Sequence, residues 1–150
     1  MIIRKQHVTE ERPMNLLLAA DPSRSLVERY IERGDCFVAE KDHDIIGVYV
    51  LLQINIETAE LINIAVSEHL QGQGIGKKLV QHAIQTAKTK GYKKLELGTG
   101  NSSLGQLALY QKCGFRITGV DKDFFIKNYE EEIFENGIQC RDMIRLSKDL

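Results

Sequence analysis

The glycine-rich segment Gln71–Lys78 constrains the fold more than any other part of this chain. The run before it, Leu61–Val66, is apolar and rich in β-branched residues, which is typical of a buried strand. The run after it, residues 75–87, has apolar residues at helical spacing and predicts an amphipathic helix that begins at the glycines. Glycines let the backbone approach a ligand closely, and the free N–H groups at a helix N-terminus attract anions. The segment therefore predicts a phosphate-binding turn.

Two common phosphate-binding patterns do not fit this turn. A Walker loop requires a glycine five residues before the Gly-Lys pair and Ser or Thr after it, whereas Gln71 and Lys78 occupy these positions. The dinucleotide-binding pattern G-x-G-x-x-G places its third glycine one residue after Gly76. A glycine turn that only joins a strand to a helix is the remaining alternative.

The pattern Gln71-x-x-Gly74-x-Gly76 resembles the acyl-CoA pyrophosphate loop of the GNAT family of N-acetyltransferases, which is Q/R-x-x-G-x-G/A. Residues 59–66 resemble the central strand of that family, and residues 101–115 resemble the strand end and helix that follow, usually N-x-x-A-x-x-x-Y-x-x-x-G-F. Here the interval from Asn101 to Tyr110 is two residues longer, and Gln106 occupies the small-residue position. Ser103 is therefore an alternative to Asn101.

The resemblance implies that the chain binds acetyl-CoA as a co-substrate. Backbone groups of Ala65 and Val66 would pair with the pantetheine arm, and the N–H of Val66 would meet the charge that develops on the carbonyl oxygen. Lys77, Lys78 and Lys112 are candidate phosphate contacts, with solvated surface lysines as the alternative. The expected cofactor-binding residues are Ala65, Val66, Gln71, Gly72, Gln73, Gly74, Ile75, Gly76, Lys77 and Asn101.

Acetyl transfer to an amine requires a base, because an alkyl ammonium with a pKa of ~10.4 is almost wholly protonated near neutral pH. The resemblance implies Glu60 as the first candidate and Glu96, on the neighbouring strand, as the second. Either glutamate could act through a water, and a carboxylate at a sheet edge or paired with a lysine is the alternative for both. Strand alternation predicts that Glu60 shares a face with Ile62, Ile64 and Val66.

Tyr110 is the candidate acid for the departing CoA thiolate. The alternative is an aromatic ring packed beneath the glycine turn with its hydroxyl hydrogen-bonded. The resemblance favours the acid.

The acceptor side is less constrained by the sequence. The acidic run Glu130–Glu132, together with Asp121 and Asp123, would attract a cationic amine, or would simply be a solvated loop. Tyr129 and Phe134 are candidates for lining an acceptor groove, and the first two helices are its other expected wall. A small amine, an amino acid and a peptide N-terminus all stay open as acceptors.

Composition excludes several other classes. The net charge is −1 and no block of Lys or Arg is present, which argues against a nucleic-acid partner. Without an apolar leader or a membrane-length apolar run, we expect a cytoplasmic protein with no membrane partner. Cys36, Cys113 and Cys140 are isolated and the four histidines are scattered, so no metal site is expected and His82 is expected at the surface.

Apolar periodicity predicts one mixed α/β (α+β) domain over residues 1–150. We expect a mostly antiparallel sheet with helices on both faces, and a right-handed parallel crossover around the glycine turn. Asp21 is the expected N-cap of the second helix, with Pro22 at its first position. Strands are expected at residues 2–8, 36–40, 45–55, 57–66, 94–98, 115–125 and 140–146. Helices are expected at residues 9–20, 23–33 and 74–90, and a further helix is expected to contain Tyr110.

Three function classes follow. The first is an acetyl-CoA-dependent N-acetyltransferase that acts by direct attack on a small molecule, a peptide, or a protein N-terminus or lysine, as a monomer or a homodimer. The second is a non-catalytic acyl-CoA sensor, and the third is an unrelated nucleotide-binding α/β domain. The resemblance favours the first.

Overall fold

A computed structural model describes every residue from Met1 to Leu150. Seven strands form one sheet in the order β1-β2-β3-β4-β5-β9-β6, and β7 and β8 form a separate small hairpin. The strands are β1 (Ile2–Lys5), β2 (Asp35–Lys41), β3 (Asp44–Gln53), β4 (Thr58–Val66), β5 (Lys94–Gly100), β6 (Arg116–Asp121), β7 (Phe134–Glu135), β8 (Ile138–Gln139) and β9 (Met143–Asp149). The helices are α1 (Met14–Ala20), α2 (Arg24–Arg33), α3 (Ile75–Thr89), α4 (Leu104–Lys112) and α5 (Phe124–Asn128), with a 3-10 turn over Glu68–Leu70.

The predicted mixed α/β architecture is confirmed. Only β4 and β5 pair in parallel, and α3 supplies the crossover between them. The sheet separates two apolar cores: α1 and α2 pack on one face through Leu17, Val27 and Ile31, and α3 and α4 pack on the other through residues such as Leu79 and Tyr110. Helices therefore cover both faces, as expected.

A β-bulge in β4 changes which side chains share a face. Val50 pairs with Asn63, but the next residue of β3, Leu51, pairs with Leu61, so Ile62 is an extra residue on β4. Ile62 consequently packs in the α1–α2 core, whereas Ile64 packs in the α3–α4 core. The expectation that Glu60 shares a face with Ile62, Ile64 and Val66 is wrong for the last two, because simple alternation does not survive a bulge.

The parallel strands β4 and β5 separate soon after they pair. Their register covers only Thr58–Glu60 against Lys94–Glu96. Beyond Glu60 the remainder of β4 has no hydrogen-bonded neighbour on its β5 side, although β5 continues to Gly100 against β9. The sheet therefore has a wedge-shaped gap, with unpaired backbone groups of β4 along one wall.

Several predicted boundaries differ from the structure. The first strand ends at Lys5 and the first helix begins at Met14, because residues 6–12 form a loop held by the ion pair between Arg4 and Glu10. Ser23, not Asp21, caps α2, since its hydroxyl accepts the Leu26 N–H at 3.3 Å. The segment between β6 and β9 contains α5 and the β7–β8 hairpin, which were expected to be a loop.

None of the five helices combines the length and the hydrophobicity that a membrane crossing requires.

Candidate active site

The glycine turn presents a run of backbone N–H groups that no protein atom accepts. Gly72 and Gly74 have φ values of 79° and 83°, and Gly74 is the N-cap of α3. From Gly72 to Lys77 no backbone amide donates a hydrogen bond, and the first that does is Lys78, which donates to Gly74 O at 3.2 Å. Six successive donors at the positive end of a helix form a site for an anion such as a diphosphate.

Gln71 fixes the turn to the end of β4. Its side-chain Nε2 donates to Val66 O at 3.2 Å. This bond covers the last carbonyl of the strand and brings the turn to the open end of the gap between β4 and β5. The predicted loop residues and the predicted strand residues therefore adjoin each other at this end of the gap.

The predicted oxyanion donor, the N–H of Val66, points into the gap but lies far from Glu60. Ser67 N–H donates to Ile46 O at 2.8 Å, so alternation turns the Val66 N–H toward the opposite edge, where β5 no longer pairs. At ~3.3 Å per residue, Val66 is about 20 Å along the strand from Glu60. The N–H of Ile64 faces the same edge and is closer to Glu60, so Ile64 is a second candidate for this role beside Val66.

Glu60 and Glu96 are brought side by side by the last parallel pair of β4 and β5. Both lie on the α1–α2 face, since Glu60 pairs with Leu52 of that core and Glu96 alternates with Leu95 and Leu97 of the other core. Burial raises the pKa of the Glu60 carboxyl, Arg145 opposes that rise, and Glu96 adds to it. Both candidate bases are therefore at the closed end of the gap.

Tyr110 lies in α4, on the opposite face of the sheet from Glu60. Its ring is 5% exposed and packs edge-on against Phe115 at a centroid distance of 6.1 Å. Burial raises the pKa of the phenol well above its ordinary value, so it stays protonated. The hydroxyl makes no hydrogen bond to a protein atom and is not sealed from solvent, which leaves the proton available to a ligand.

The side chain of Asn101 is hydrogen-bonded to other residues of the protein. Its Oδ1 accepts the N–H groups of Arg141 and Asp142 at 2.8 and 3.0 Å, and its Nδ2 donates to Gln139 O at 3.1 Å. These bonds hold the segment before β9 in place, and the predicted cofactor contact of Asn101 stays a prediction. Its alternative, Ser103, donates to Glu135 at 2.9 Å and is likewise engaged.

The three candidate lysines lie at different places. Lys77 lies near Cys113, at the end of α4. Burial raises the pKa of the Cys113 thiol and the positive charge of Lys77 opposes that rise, so Lys77 lies on the α4 side of α3. Lys78 borders a groove with Met1 and Ile3, on the β1 side of the same helix. Lys112 is exposed at the end of α4. Only Lys77, within the run of free amides, lies at the turn itself.

The acceptor side contains a hydrogen-bonded group that the sequence did not indicate. The Tyr30 hydroxyl donates to Asp21 at 3.1 Å, and the Tyr129 hydroxyl donates to the other oxygen of Asp21 at 2.8 Å. Asn63 donates to Tyr30 at 2.8 Å and to Leu17 O at 3.0 Å, and its Oδ1 is buried without a partner. Tyr129 was already a candidate for this side, and the other visible signal is Asn63, a polar residue inside an apolar strand.

The other expected acceptor residues divide into two groups. Tyr129 lies beside α1 and α2 through its bond to Asp21, whereas Phe134 is 60% exposed on β7. Asp121 is paired with Arg145 at 3.0 Å. Asp123 begins α5 in a left-handed conformation, and the run Glu130–Glu132 is exposed.

His82 is half-buried instead of lying free on the surface. Its Nδ1 is 2.8 Å from the hydroxyl of the fully buried Tyr49, and burial lowers the pKa of the imidazole. All three cysteines are free, and no group of three or more His, Cys, Asp or Glu side chains is arranged to hold a metal ion.

The sequence profile of the Acetyltransferase (GNAT) family matches residues 6–115, well over half of the chain. This chain belongs to the GNAT acetyltransferase family. It is 56% identical over 142 residues to the uncharacterised N-acetyltransferase YvbK of Bacillus subtilis (strain 168), covering 95% of this chain and 92% of that protein.

Two solved structures of acetyltransferases match almost the whole chain. A GNAT family acetyltransferase from Elizabethkingia anophelis, solved with acetyl-CoA bound, is 51% identical with a TM-score of 0.97 over 99% of this chain and 97% of that one. The IAA acetyltransferase of Bacillus cereus ATCC 14579 is 58% identical with a TM-score of 0.96 over 99% of each chain. The GNAT resemblance of the motifs and the fold class are both confirmed.

Proposed function

We propose that this protein transfers the acetyl group of acetyl-CoA to a primary amine by direct attack. The observation that carries the proposal is the gap between β4 and β5, which has six free amides at its open end and two glutamates at its closed end. The relative from Elizabethkingia anophelis was solved with the same thioester, which supports the assignment of the donor.

The free amides from Gly72 to Lys77 bind the diphosphate, and the unpaired edge of β4 pairs with the extended arm of the cofactor as an added strand would. Acetyl-CoA supplies the acetyl group and a thiolate leaving group. Gln71 keeps the turn and the strand edge in one alignment through its bond to Val66 O. The cleft therefore holds the thioester between the two faces of the sheet.

Glu60 accepts a proton from the incoming ammonium, directly or through one water, because a neutral amine is needed for attack. Its buried position raises the pKa of the carboxyl toward the working pH, which makes it a stronger base than a solvated glutamate. Glu96, its neighbour across the last parallel pair, is the second candidate for the same step.

The next steps form the carbon–nitrogen bond and break the carbon–sulfur bond. The amine nitrogen forms a bond to the carbonyl carbon while the N–H of Ile64 or of Val66 donates to the carbonyl oxygen. The carbon–sulfur bond breaks, and the Tyr110 hydroxyl gives its proton to the sulfur. The nitrogen loses its second proton to solvent in the same collapse, and solvent returns a proton to the Tyr110 phenolate. The products are an N-acetylated amine and the free thiol of CoA.

The charges on the α1–α2 face favour a cationic acceptor of modest size. Glu60, Glu96 and Asp121 contribute three carboxylates beside the gap, and Arg145 is the cation that contacts two of them, Glu60 and Asp121. A negative cleft raises the local concentration of an ammonium substrate. Tyr30 and Tyr129, both hydrogen-bonded to Asp21, form a wall on this face. We infer that a small-molecule amine, not a folded protein, is the acceptor.

The test is a transfer assay with labelled acetyl-CoA and a panel of diamines, amino acids and short peptides with a free N-terminus. We expect an N-acetyl product with at least one cationic small amine, and none from the Tyr110→Phe, Glu60→Gln double variant at the same CoA occupancy. Tight CoA binding with no product from any amine would instead support the non-catalytic sensor.

A further inference from the structure

Arg145 reaches across a whole strand to meet Glu60. It lies on β9, opposite Gly98 of β5, whereas Glu60 lies on β4, on the far side of β5. Its Nη1 is 3.7 Å from Glu60 Oε2, and its Nε and Nη2 are each 3.0 Å from Asp121 Oδ2. The guanidinium is also 5.9 Å from the ring centroid of Phe124. One cation thus joins a carboxylate of β6 to the candidate base of β4.

Gly98 of β5, which lies beneath the side chain of Arg145, leaves room for that side chain to cross the strand. A Cβ atom built on Gly98 would lie 3.1 Å from Arg145 Nη1 and 2.5 Å from Met143 Sδ. Any side chain at position 98 would therefore push the guanidinium out of its path or displace Met143. The missing side chain of Gly98 is what lets Arg145 extend over β5 to Glu60.

The groups around Glu60 include a single cation. Tyr30 faces it from α2, Glu96 from β5 and Arg145 from β9, while β3 presents the apolar Leu52. Asp21, at the end of α1, is already bonded by Tyr30 and Tyr129. The side chain of Glu60 is only 19% exposed, so burial and the neighbouring Glu96 both favour its protonated form.

The two ion pairs of Arg145 differ in length, and this difference leaves Glu60 able to act as a base. The bonds to Asp121 are short and tether the guanidinium, whereas the contact with Glu60 is longer. Glu60 therefore receives positive charge without having both of its oxygens capped, and one oxygen stays free to accept a proton.

We propose that Arg145, tethered by Asp121, is a positioning residue that keeps the Glu60 carboxylate ionised and aimed at the gap. The inference rests on the proposed role of Glu60 as the base. Arg145 touches neither the cofactor nor the reacting atoms in this scheme and acts only through Glu60.

The direct test follows the ionisation of Glu60 by NMR of protein labelled with 13C at glutamate carboxyls, with Glu60→Gln used to assign the signal. In Arg145→Gln we expect the pKa of Glu60 to rise by about one unit, as expected when an opposite charge a few ångströms away is removed. Asp121→Asn, which loosens the tether, is expected to give a smaller rise, and Arg145→Lys is expected to retain part of the effect. An unchanged titration of Glu60 in Arg145→Gln overturns the inference, whatever the enzyme acetylates.

Kinetics then separate this inference from the proposed function. We expect the acidic limb of kcat/KM in Arg145→Gln to move to higher pH with the Glu60 titration, while the Kd for CoA is unchanged. A loss of rate that is equal at every pH would mean that Arg145 only supports the fold, and this overturns the inference. If Glu60 titrates as predicted but Glu60→Gln keeps the wild-type pH profile, the assignment of the base fails instead, and with it the role of Arg145 in the reaction.

Discussion

Glu60 and Tyr110 lie on opposite faces of the central sheet, separated by the gap where β4 and β5 part. Glu60 belongs to the face covered by α1 and α2, and Tyr110 to the face covered by α3 and α4. In the proposed mechanism, a thioester in the gap would be approached by the base from one side and by the acid from the other. This arrangement separates the two proton transfers in space, so each can be tested alone.

We expect Tyr110→Phe to lower kcat by about two orders of magnitude, the usual contribution of a general acid. The Kd for CoA and the free energy of unfolding should change little, because the hydroxyl bonds no protein atom and the ring stays packed on Phe115. Steady-state kinetics, calorimetric CoA binding and urea unfolding measure the three quantities. An equal loss of kcat and of CoA affinity would mean that Tyr110 only shapes the pocket.

Glu60→Gln should give a rate deficit that shrinks as pH rises, because more of the acceptor amine is then already neutral. In the wild type, activity should fall as pH falls through the raised pKa of Glu60, since the protonated carboxyl cannot act as a base. Profiles of kcat/KM against pH for Glu60→Gln and for the matched variant Glu96→Gln measure this. An unchanged profile in the first and a changed profile in the second would move the base to Glu96.

The same carboxyl has a predictable effect on stability. A folded-state pKa raised above the unfolded value means that the folded protein binds the proton more tightly, so the free energy of unfolding falls as pH rises through this window. Glu60→Gln, which stays neutral, should lose this part of the pH dependence and be no less stable than the wild type at neutral pH. Urea unfolding at several pH values above the ordinary glutamate pKa provides the measurement. A variant with the same slope would show that Glu60 is not responsible.

Much of the fold and the geometry of the glycine turn could be predicted because their signals are local. The turn at Gly74 requires a positive φ, and the helical spacing of apolar residues within α3 predicts that helix. The hairpin between β2 and β3 is also local, since Asp42 and His43 both adopt the positive φ of a two-residue turn.

The remaining features depend on partners that are distant in the chain. The bulge at Ile62 arises from pairing with β3, so no alternation within β4 reveals it. Asn101 is taken by the N–H of Arg141, 40 residues away, and the contact of Arg145 with Glu60 exists only once β9 has inserted between β5 and β6. Candidate residues were therefore identified by type, whereas their hydrogen-bond partners were not.

Gly74→Ala should weaken CoA binding by about tenfold, or about 1.4 kcal/mol, because it disturbs the amides that the turn presents. Space is not the obstacle, since no atom lies within 4 Å of an added Cβ, but φ is 83°, which costs an L-residue about 1–2 kcal/mol. Gly105→Ala is the matched control: its Cβ also meets nothing within 4 Å, and it lies inside α4, where alanine should stabilise by roughly 0.5–1 kcal/mol. Calorimetry with CoA compares the two, and normal affinity in Gly74→Ala would contradict the loop assignment.

Tyr129→Phe should raise the KM for the acceptor by about threefold to tenfold and leave the KM for acetyl-CoA unchanged. The substitution removes the 2.8 Å bond from its hydroxyl to Asp21, and a hydrogen bond to a charged group contributes about 1.5–3 kcal/mol, only part of which would reach the acceptor. Asp21 also holds Tyr30, so loosening it should disorder the wall beside Glu60 without touching the glycine turn. Phe134→Ala, at a 60% exposed position on β7, is the control and should change neither constant. Bisubstrate kinetics on the three proteins decide the point, because a Phe134 variant that raises the acceptor KM as much as Tyr129→Phe would place the acceptor on the β7–β8 hairpin instead of against α1 and α2.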